Sequence, residues 1–307
     1  MGLVNLNRVL LKAREHGYAV GAFNFVDMEV LQGIVDAAVE AHAPVIVQTT
    51  EGAIEYAGIA YLAAMARIAA ERADVDIVLH LDHGKHLEAV MLALRYGYTS
   101  VMIDASDRPY EENLALAKEV VKLAHPLGVS VEAELGRLRG IEDNVRVGEA
   151  GASLVDPEQA GAFVRASGID ALAPAIGTSH GAFKFKGTPR LDIDRLRRVA
   201  DLTGIPLVLH GASSVPAKVI EKANRYGARI EGAAGVPDDI LQQAIGAGIC
   251  KVNTDTDLRL AFTAGIRERF AAEPGVFDIR HILGPARQAV KDMVAGRIGA
   301  FGSAGRG

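Results

Sequence analysis

Leu79-His80-Leu81-Asp82-His83-Gly84 runs from apolar residues into a histidine, an aspartate and a glycine. The alternation reads as a strand: over Val78–Asp82 a period of two puts His80 and Asp82 on one face and Leu79 and Leu81 on the other. An imidazole and a carboxylate are costly to bury unless something partners them. His83 lies just past the run, where a turn can swing it to the same side. Two other stretches stop in the same way, Gly177-Thr178-Ser179-His180-Gly181 and Leu207-Val208-Leu209-His210-Gly211. Three imidazoles delivered by strand ends can converge on one point, and three protein ligands with an open fourth position suit a catalytic zinc. Any one of these histidines alone reads better as a buried core residue. Three together, one of them beside an aspartate, read as a metal site.

Outward from this stretch, strand-like runs recur at Ala19–Phe25, Val45–Gln48, Ile77–Leu81, Ser100–Ile103, Ser130–Leu135, Ala171–Pro174, Leu207–His210 and Cys250–Thr254. A leading helix over Asn5–His16 precedes them. Amphipathic stretches fall between them, among them Met28–Ala41, Tyr61–Arg72, His86–Tyr96, Tyr110–His125, Pro157–Ser167, Asp194–Thr203 and Pro216–Tyr226. Strand followed by helix, repeated eight times in 307 residues, predicts an α/β protein with a closed (β/α)8 TIM barrel. No Gly-x-Gly-x-x-Gly follows the first run, which argues against a dinucleotide-binding fold. Three connections are longer than a barrel needs, Gly136–Val155, Thr178–Pro189 and Ser213–Pro237, each on the face where barrels build sites. No linker divides the chain, so residues 1–307 read as a single domain. A C-terminal helical extension is expected over Arg280–Ala295, then a mobile Gly-rich tail from Gly296 to Gly307.

Half of the residues are hydrophobic, enough for a full core. The net charge is −5 and no Lys/Arg block occurs, which excludes a nucleic-acid footprint. No apolar run is long enough to span a bilayer, and the start lacks a basic region followed by an apolar one. A cytoplasmic protein is expected. Cys250 is the only cysteine, so an intrachain disulfide and a thiolate zinc cluster are excluded. Any zinc must be held by His and Asp/Glu.

Val131-Glu132-Ala133-Glu134-Leu135 repeats the alternation, with Glu132 and Glu134 on one face. Helices cover the outside of a barrel, so that face is interior, and its carboxylates call for a cation or for arginines. Ser213 and Ser214, Lys184, and Asn253-Thr254-Asp255-Thr256 supply hydroxyls, a cation and a helix start, the parts of a barrel phosphate site. Ser213 and Thr256 also read as plain helix N-caps, and Lys184 alone as a solvated surface lysine.

With these residues assembled, the chain resembles the class II, metal-dependent fructose-1,6-bisphosphate aldolases. The resemblance rests on the stretches around His80–Gly84, Val131–Gly136, Gly140-Ile141-Glu142-Asp143, Gly177–Gly181, His210-Gly211-Ala212-Ser213-Ser214 and Asn253–Thr256, and runs from the leading helix to about Ala295. It implies that His83, His180 and His210 ligate the catalytic Zn2+, with Glu134 as the alternative ligand when the metal shifts. It implies that Asp82 handles the C4 hydroxyl proton and that Glu142 acts at C3 of the dihydroxyacetone phosphate half. It implies that Gly181, Lys184, Gly211, Ser213, Asp255 and Thr256 bind the C1 phosphate and nearby hydroxyls. Asn24 and Asn253 are implied substrate contacts, and Arg280 meets the far phosphate, in its own or a neighbouring subunit. Thr50 stands where many members have a serine. A monovalent cation (Na+, K+ or NH4+) near the phosphate site is also implied.

The Gly-Ala-Ser-Ser after His210 resembles the shorter branch, often tetrameric, more than the dimeric branch. The ligand set would also accept Co2+. The implied activity is that of a lyase: reversible cleavage of fructose 1,6-bisphosphate to dihydroxyacetone phosphate and glyceraldehyde 3-phosphate through a metal-stabilised enediolate. Tagatose 1,6-bisphosphate differs only at C4 and is the alternative substrate. A metal-dependent hydrolase and a non-catalytic sugar-phosphate sensor are remoter readings, since neither needs both Asp82 and Glu142. A Schiff-base lysine is disfavoured beside a zinc site; Lys251, inside the last run, is expected to face outward.

Overall fold

The computed structural model describes residues 2–136, 139–142, 145–147, 153–180 and 191–307, with 139–142, 145–147, 179 and 180 described by backbone alone. The alternating runs form strands β1 (Val20–Asn24), β2 (Val45–Thr49), β3 (Ile77–Gly84), β4 (Ser100–Ile103) and β5 (Ser130–Leu135). Strands β6 (Arg139–Glu142) and β7 (Val145–Val147) follow, then β8 (Ala171–Pro174), β9 (Ser179–His180), β10 (Leu207–Leu209) and β11 (Ile249–Thr254). Eight of them close in the order β1-β2-β3-β4-β5-β8-β10-β11 and back to β1. Every neighbouring pair is parallel. This is the predicted (β/α)8 barrel.

The period of two separates two cores. Ile77, Leu79 and Leu81, with Val131, Ala133 and Leu135, face outward and pack under the surrounding helices. Val20, Ala22, Ile46, Val78, Ala171, Ala173, Val208 and Cys250 point inward at the lower end of the barrel. The leading helix Leu6–His16, N-capped by Asn5, brings Leu6, Val9, Leu10 and Ala13 against them. Their i, i+3, i+4, i+7 spacing lines one helical face, so an apolar plug closes that end.

Two bulges break the alternation, and both serve the interior. Between β3 and β4 the partners run Leu81↔Val101 and then Gly84↔Ile103, one extra residue on β3. His83 sits there with φ +49, a left-handed conformation that is strained for a side chain with a Cβ, at about 1–3 kcal/mol. The bulge lets the consecutive Asp82 and His83 both turn toward the barrel mouth. Only glycine fits next: a Cβ on Gly84 would lie 2.7 Å from the Met102 carbonyl oxygen. Between β10 and β11 the partners run Leu207↔Ile249 and then Val208↔Lys251, with Cys250 the extra residue. After it Val252 faces outward while Lys251 and Asn253 face inward. This corrects the outward orientation expected for Lys251, which is fully buried.

All three of the long connections carry structure of their own. Strand β6 pairs antiparallel with β7 and parallel with β9, so Gly140 lies beside His180 in a small separate sheet. The Ser213–Pro237 stretch holds the helix Ala217–Arg225. Helices Glu51–Ala57, Asp238–Gly246 and Thr256–Ala272 add to those read from the sequence. The expected mobile tail is corrected as well. The C-terminal helix runs on from Ile279 to Phe301, Phe301 and Ser303 are buried, and the amides of Gly305 and Gly307 donate to the carbonyls of Ala41 and His42. Glycines in that stretch end a helix and anchor the chain rather than loosen it. Among the described residues no single helix is long and apolar enough to cross a membrane.

Candidate active site

Above the apolar plug the inward positions turn polar. His80, Gln48, Glu132, Lys251, Asp82 and Glu134 are all essentially buried. Charges at that depth need partners, and they have them. Lys251 Nζ lies 2.6 Å from Glu132 Oε2 and 3.1 Å from His80 Nε2. His80 Nδ1 meets Ser100 Oγ at 2.8 Å. Burial, and next the Lys251 charge, hold the His80 imidazole well below its ordinary value, so this ring is neutral.

At the mouth His83 and His210 meet edge to face, with ring centroids 4.5 Å apart. His83 Nδ1 contacts Asp104 Oδ2 at 2.7 Å, and His210 Nε2 contacts Glu132 Oε1 at 2.8 Å. A carboxylate accepts, so each of those nitrogens carries the proton. The other two nitrogens, His83 Nε2 and His210 Nδ1, then present lone pairs to each other at 2.7 Å. Two facing lone pairs repel unless a proton or a cation lies between them. Imidazoles locked by carboxylates through one nitrogen, with the other turned to a common point, form the supporting shell of a metal site. Asp82, His83 and His210 bring ligand atoms within 4.8 Å of one another, and so do His83, Asp104 and Glu134. Glu134 Oε2 lies 3.7 Å from His210 Nδ1. The donors are nitrogen and oxygen, and the residues fit a divalent cation of the zinc type.

Asp82 is held by amides. Asn24 and Gln48 donate to Oδ2 at 3.0 and 3.1 Å, and Asn253 donates to Oδ1 at 2.9 Å. Burial alone would raise its pKa, but His83, Lys251 and His210, with the Asn24 hydrogen bond, outweigh it and hold the carboxyl below its ordinary value. An ionised, oriented carboxylate beside the cation site can receive a proton. Asn24, Thr50 and Asp255 also line a neighbouring cavity of about 260 Å³.

A family model described as "Fructose-bisphosphate aldolase class-II" matches residues 4–306. The chain belongs to this family. It is similar to the fructose-bisphosphate aldolase of Helicobacter pylori, with 52% identity and 99% of each chain covered. It is also similar to that of Giardia intestinalis, with 50% identity over 99% of this chain and 94% of the relative. Among solved structures, the YdjI aldolase from Escherichia coli K12 superposes with a TM-score of 0.82 at 34% identity, with 99% of both chains covered.

Within this family member the predicted residues divide into four groups. His83, His210, Asp82 and Glu134 come together, with Asn24 and Asn253 as holders of Asp82. The backbones of Glu142 and His180 lie in β6 and β9; their side chains, and all of Gly181 and Lys184, lie outside the described residues. His180 therefore belongs to the small sheet rather than to the end of a barrel strand. Around the rim, Ser213 Oγ accepts from the Asp255 amide at 3.4 Å, and Gly211 takes a left-handed φ of +60. Asp255 is ion-paired with Arg259 at 2.8 Å. The simple capping reading of Ser213 and Thr256 does not hold: Ser213 ties two loops together, and Thr256 is the first helical residue after Asp255. Thr50 does cap, accepting from the Ala53 amide at 3.2 Å. Arg280 stands apart from the cluster, 84% exposed and 2.7 Å from Asp278.

Three residues of the cluster escaped the sequence reading. Asp104 accepts from His83 and lies 2.5 Å from Lys85 Nζ. Burial would raise its carboxyl, but His83 and Lys85 hold it well below the ordinary range. Gln48 is the third amide on Asp82. The signal for Asp104 was available: it is a carboxylate at the end of the fourth run, next to the third.

Proposed function

We propose that this chain is a fructose-bisphosphate aldolase, a lyase that reversibly cleaves fructose 1,6-bisphosphate into dihydroxyacetone phosphate and glyceraldehyde 3-phosphate. The observation that carries this is the pair of carboxylate-locked imidazoles turned on one another, with an ionised Asp82 beside them. His83, His210 and His180 would hold a zinc ion, with Glu134 as an alternative ligand. A divalent cation there supplies Lewis-acid stabilisation of the negative charge that cleavage leaves on the three-carbon fragment.

The chain's own residues do the rest. Asp82, oriented by three amides, takes the proton of the C4 hydroxyl as the C3–C4 bond breaks and C4 becomes the aldehyde carbon. The electron pair stays on C3, conjugated with the C2 carbonyl. Glu142 delivers a proton to C3, completing dihydroxyacetone phosphate; condensation reverses the sequence. Gly181, Lys184, Gly211, Ser213, Asp255 and Thr256 bind the C1 phosphate and adjoining hydroxyls. Asn24 and Asn253 touch substrate as well as Asp82. Thr50 serves the far phosphate together with Arg280, whose exposed position suits a contribution to a neighbouring subunit. A homotetramer in the cytoplasm, one domain per chain, and a monovalent cation beside the phosphate site complete the reading.

The test is initial cleavage rates on fructose and tagatose 1,6-bisphosphates, with and without EDTA and after zinc is restored. Fructose preference, lost with EDTA and regained with zinc, is expected. No cleavage of either by metal-replete protein would overturn the proposal.

A further inference from the structure

A lysine ammonium with no exposed surface lies beneath the metal cluster. Lys251 is 0% exposed, and its ammonium is shared between Glu132 Oε2 at 2.6 Å and His80 Nε2 at 3.1 Å. Stability does not explain it. Replacing a buried ion pair by apolar residues of similar volume is often neutral or stabilising, and inward-facing apolar residues already fill the layer below. The ammonium is committed to two acceptors inside the barrel, which also removes it as a nucleophile. Its placement has one clear consequence upward. Glu132 has two oxygens; with Oε2 on Lys251, Oε1 is turned to His210 Nε2 at 2.8 Å. The bulge at Cys250 is what brings Lys251 to the interior.

We propose that Lys251 is a positioning residue for the metal centre: its ammonium clamps Glu132 so that Oε1 receives His210 Nε2–H and the His210 Nδ1 lone pair is aimed at the cation site. This rests on the reading of His83 and His210 as metal ligands. The hydrogen bonds of Lys251 among the described residues go to Glu132 and His80. Its effect on metal affinity passes through Glu132, so the two residues form one coupled unit.

The experiment is a double-mutant cycle of Lys251→Met and Glu132→Gln, read as zinc affinity of the stripped full-length chain in competition with a chromogenic chelator. The visible spectrum of the cobalt-loaded forms reports the geometry of the centre, and melting of the metal-free forms reports folding. Each single variant is expected to lose about 10- to 100-fold in zinc affinity, the range for a partner that orients a ligand. Lys251→Met is expected to shift the cobalt spectrum. The double variant is expected to bind zinc no more weakly than Glu132→Gln alone, since the second change removes a clamp with nothing left to hold. Folded Lys251→Met with parental affinity and spectrum overturns the proposal, as does a further loss in the double variant. Should Lys251→Met not fold, Glu132→Gln against the double variant still decides, because the double carries no unpaired buried charge. Failure of the parent to bind zinc would instead sink the metal-centre reading beneath it.

Discussion

Asp104→Asn isolates the carboxylate that locks His83. In the folded chain Asp104 Oδ2 accepts from His83 Nδ1 at 2.7 Å and faces Lys85 Nζ at 2.5 Å, while Oδ1 accepts from Ser106 Oγ at 2.7 Å. Asparagine has one acceptor oxygen where aspartate has two. With that oxygen on His83 the ring keeps its tautomer but loses a charged partner. With the amide nitrogen there, the proton must move to Nε2 and the ligand lone pair is lost. Losing such a partner costs about 10- to 100-fold in metal affinity, or about 1.4–2.8 kcal/mol at 1.4 kcal/mol per decade. Zinc competition on stripped protein measures it, with melting of the metal-free forms as the control for folding. Parental zinc affinity in a folded Asp104→Asn chain would refute the argument that Asp104 orients His83. Acid adds an independent check. A carboxyl held below its ordinary value stabilises the fold above the unfolded value, about 3.9, and loses that contribution as pH falls through the folded value. The stability gap between parent and Asp104→Asn, in metal-free protein, should narrow as pH falls below about 4.

Asp82→Asn should lower turnover by about 10²- to 10⁴-fold, the usual worth of a proton-transferring group, while the chain still binds zinc; retained turnover would remove Asp82 from the proton path. Borohydride added with substrate should leave the activity intact, because Lys251 is committed to Glu132 and His80; inactivation with label on Lys251 would reverse that. In Gly235→Ala the new Cβ would collide with the Ser213 carbonyl oxygen and the Ser214 backbone. It should destabilise the chain by about 1–3 kcal/mol and raise KM for the bisphosphate more than it lowers zinc affinity; an unchanged KM would detach the Ser213 loop from phosphate binding.

Alternation carried the sequence reading a long way. It set His80 with Asp82 and Glu132 with Glu134 on the inner face, and the count of runs gave the barrel. It failed where the backbone adds a residue. A bulge is a property of two strands and their register, and no single run reveals it. That is why His83 could be placed only as swinging from a turn, and why Lys251 was expected outside although Asn253, two residues on, was expected at the site. His180 depends on pairing between β6 and β9, whose partners are about 40 residues apart in the chain. The tail failed for a different reason. Glycine richness predicts looseness, yet helix propensity is a weak prior that packing overrides, and Val290, Val294, Ile298 and Phe301 supply a buried stripe.

The interior reads as three layers that depend on one another from below. The leading helix and small inward residues such as Ala22, Ala171 and Ala173 pack the lower end with apolar groups. On that apolar floor a charged layer is stable only if its charges are paired, and Lys251 against Glu132 pairs them. Glu132 then has one oxygen left for His210, while Asp104 beside it shares a single oxygen between His83 and Lys85. The metal-binding geometry is therefore set by groups that face away from substrate. This makes a specific demand on the fold: both bulges must survive. If β3 kept all its residues but alternated without the bulge, His83 would follow Asp82 onto the outer face, and without its bulge β11 would carry Lys251 outward after Cys250, because successive side chains alternate across a strand. The strained φ at His83 belongs to this arrangement: the backbone pays locally so that two consecutive residues, a base and a ligand, reach the same point.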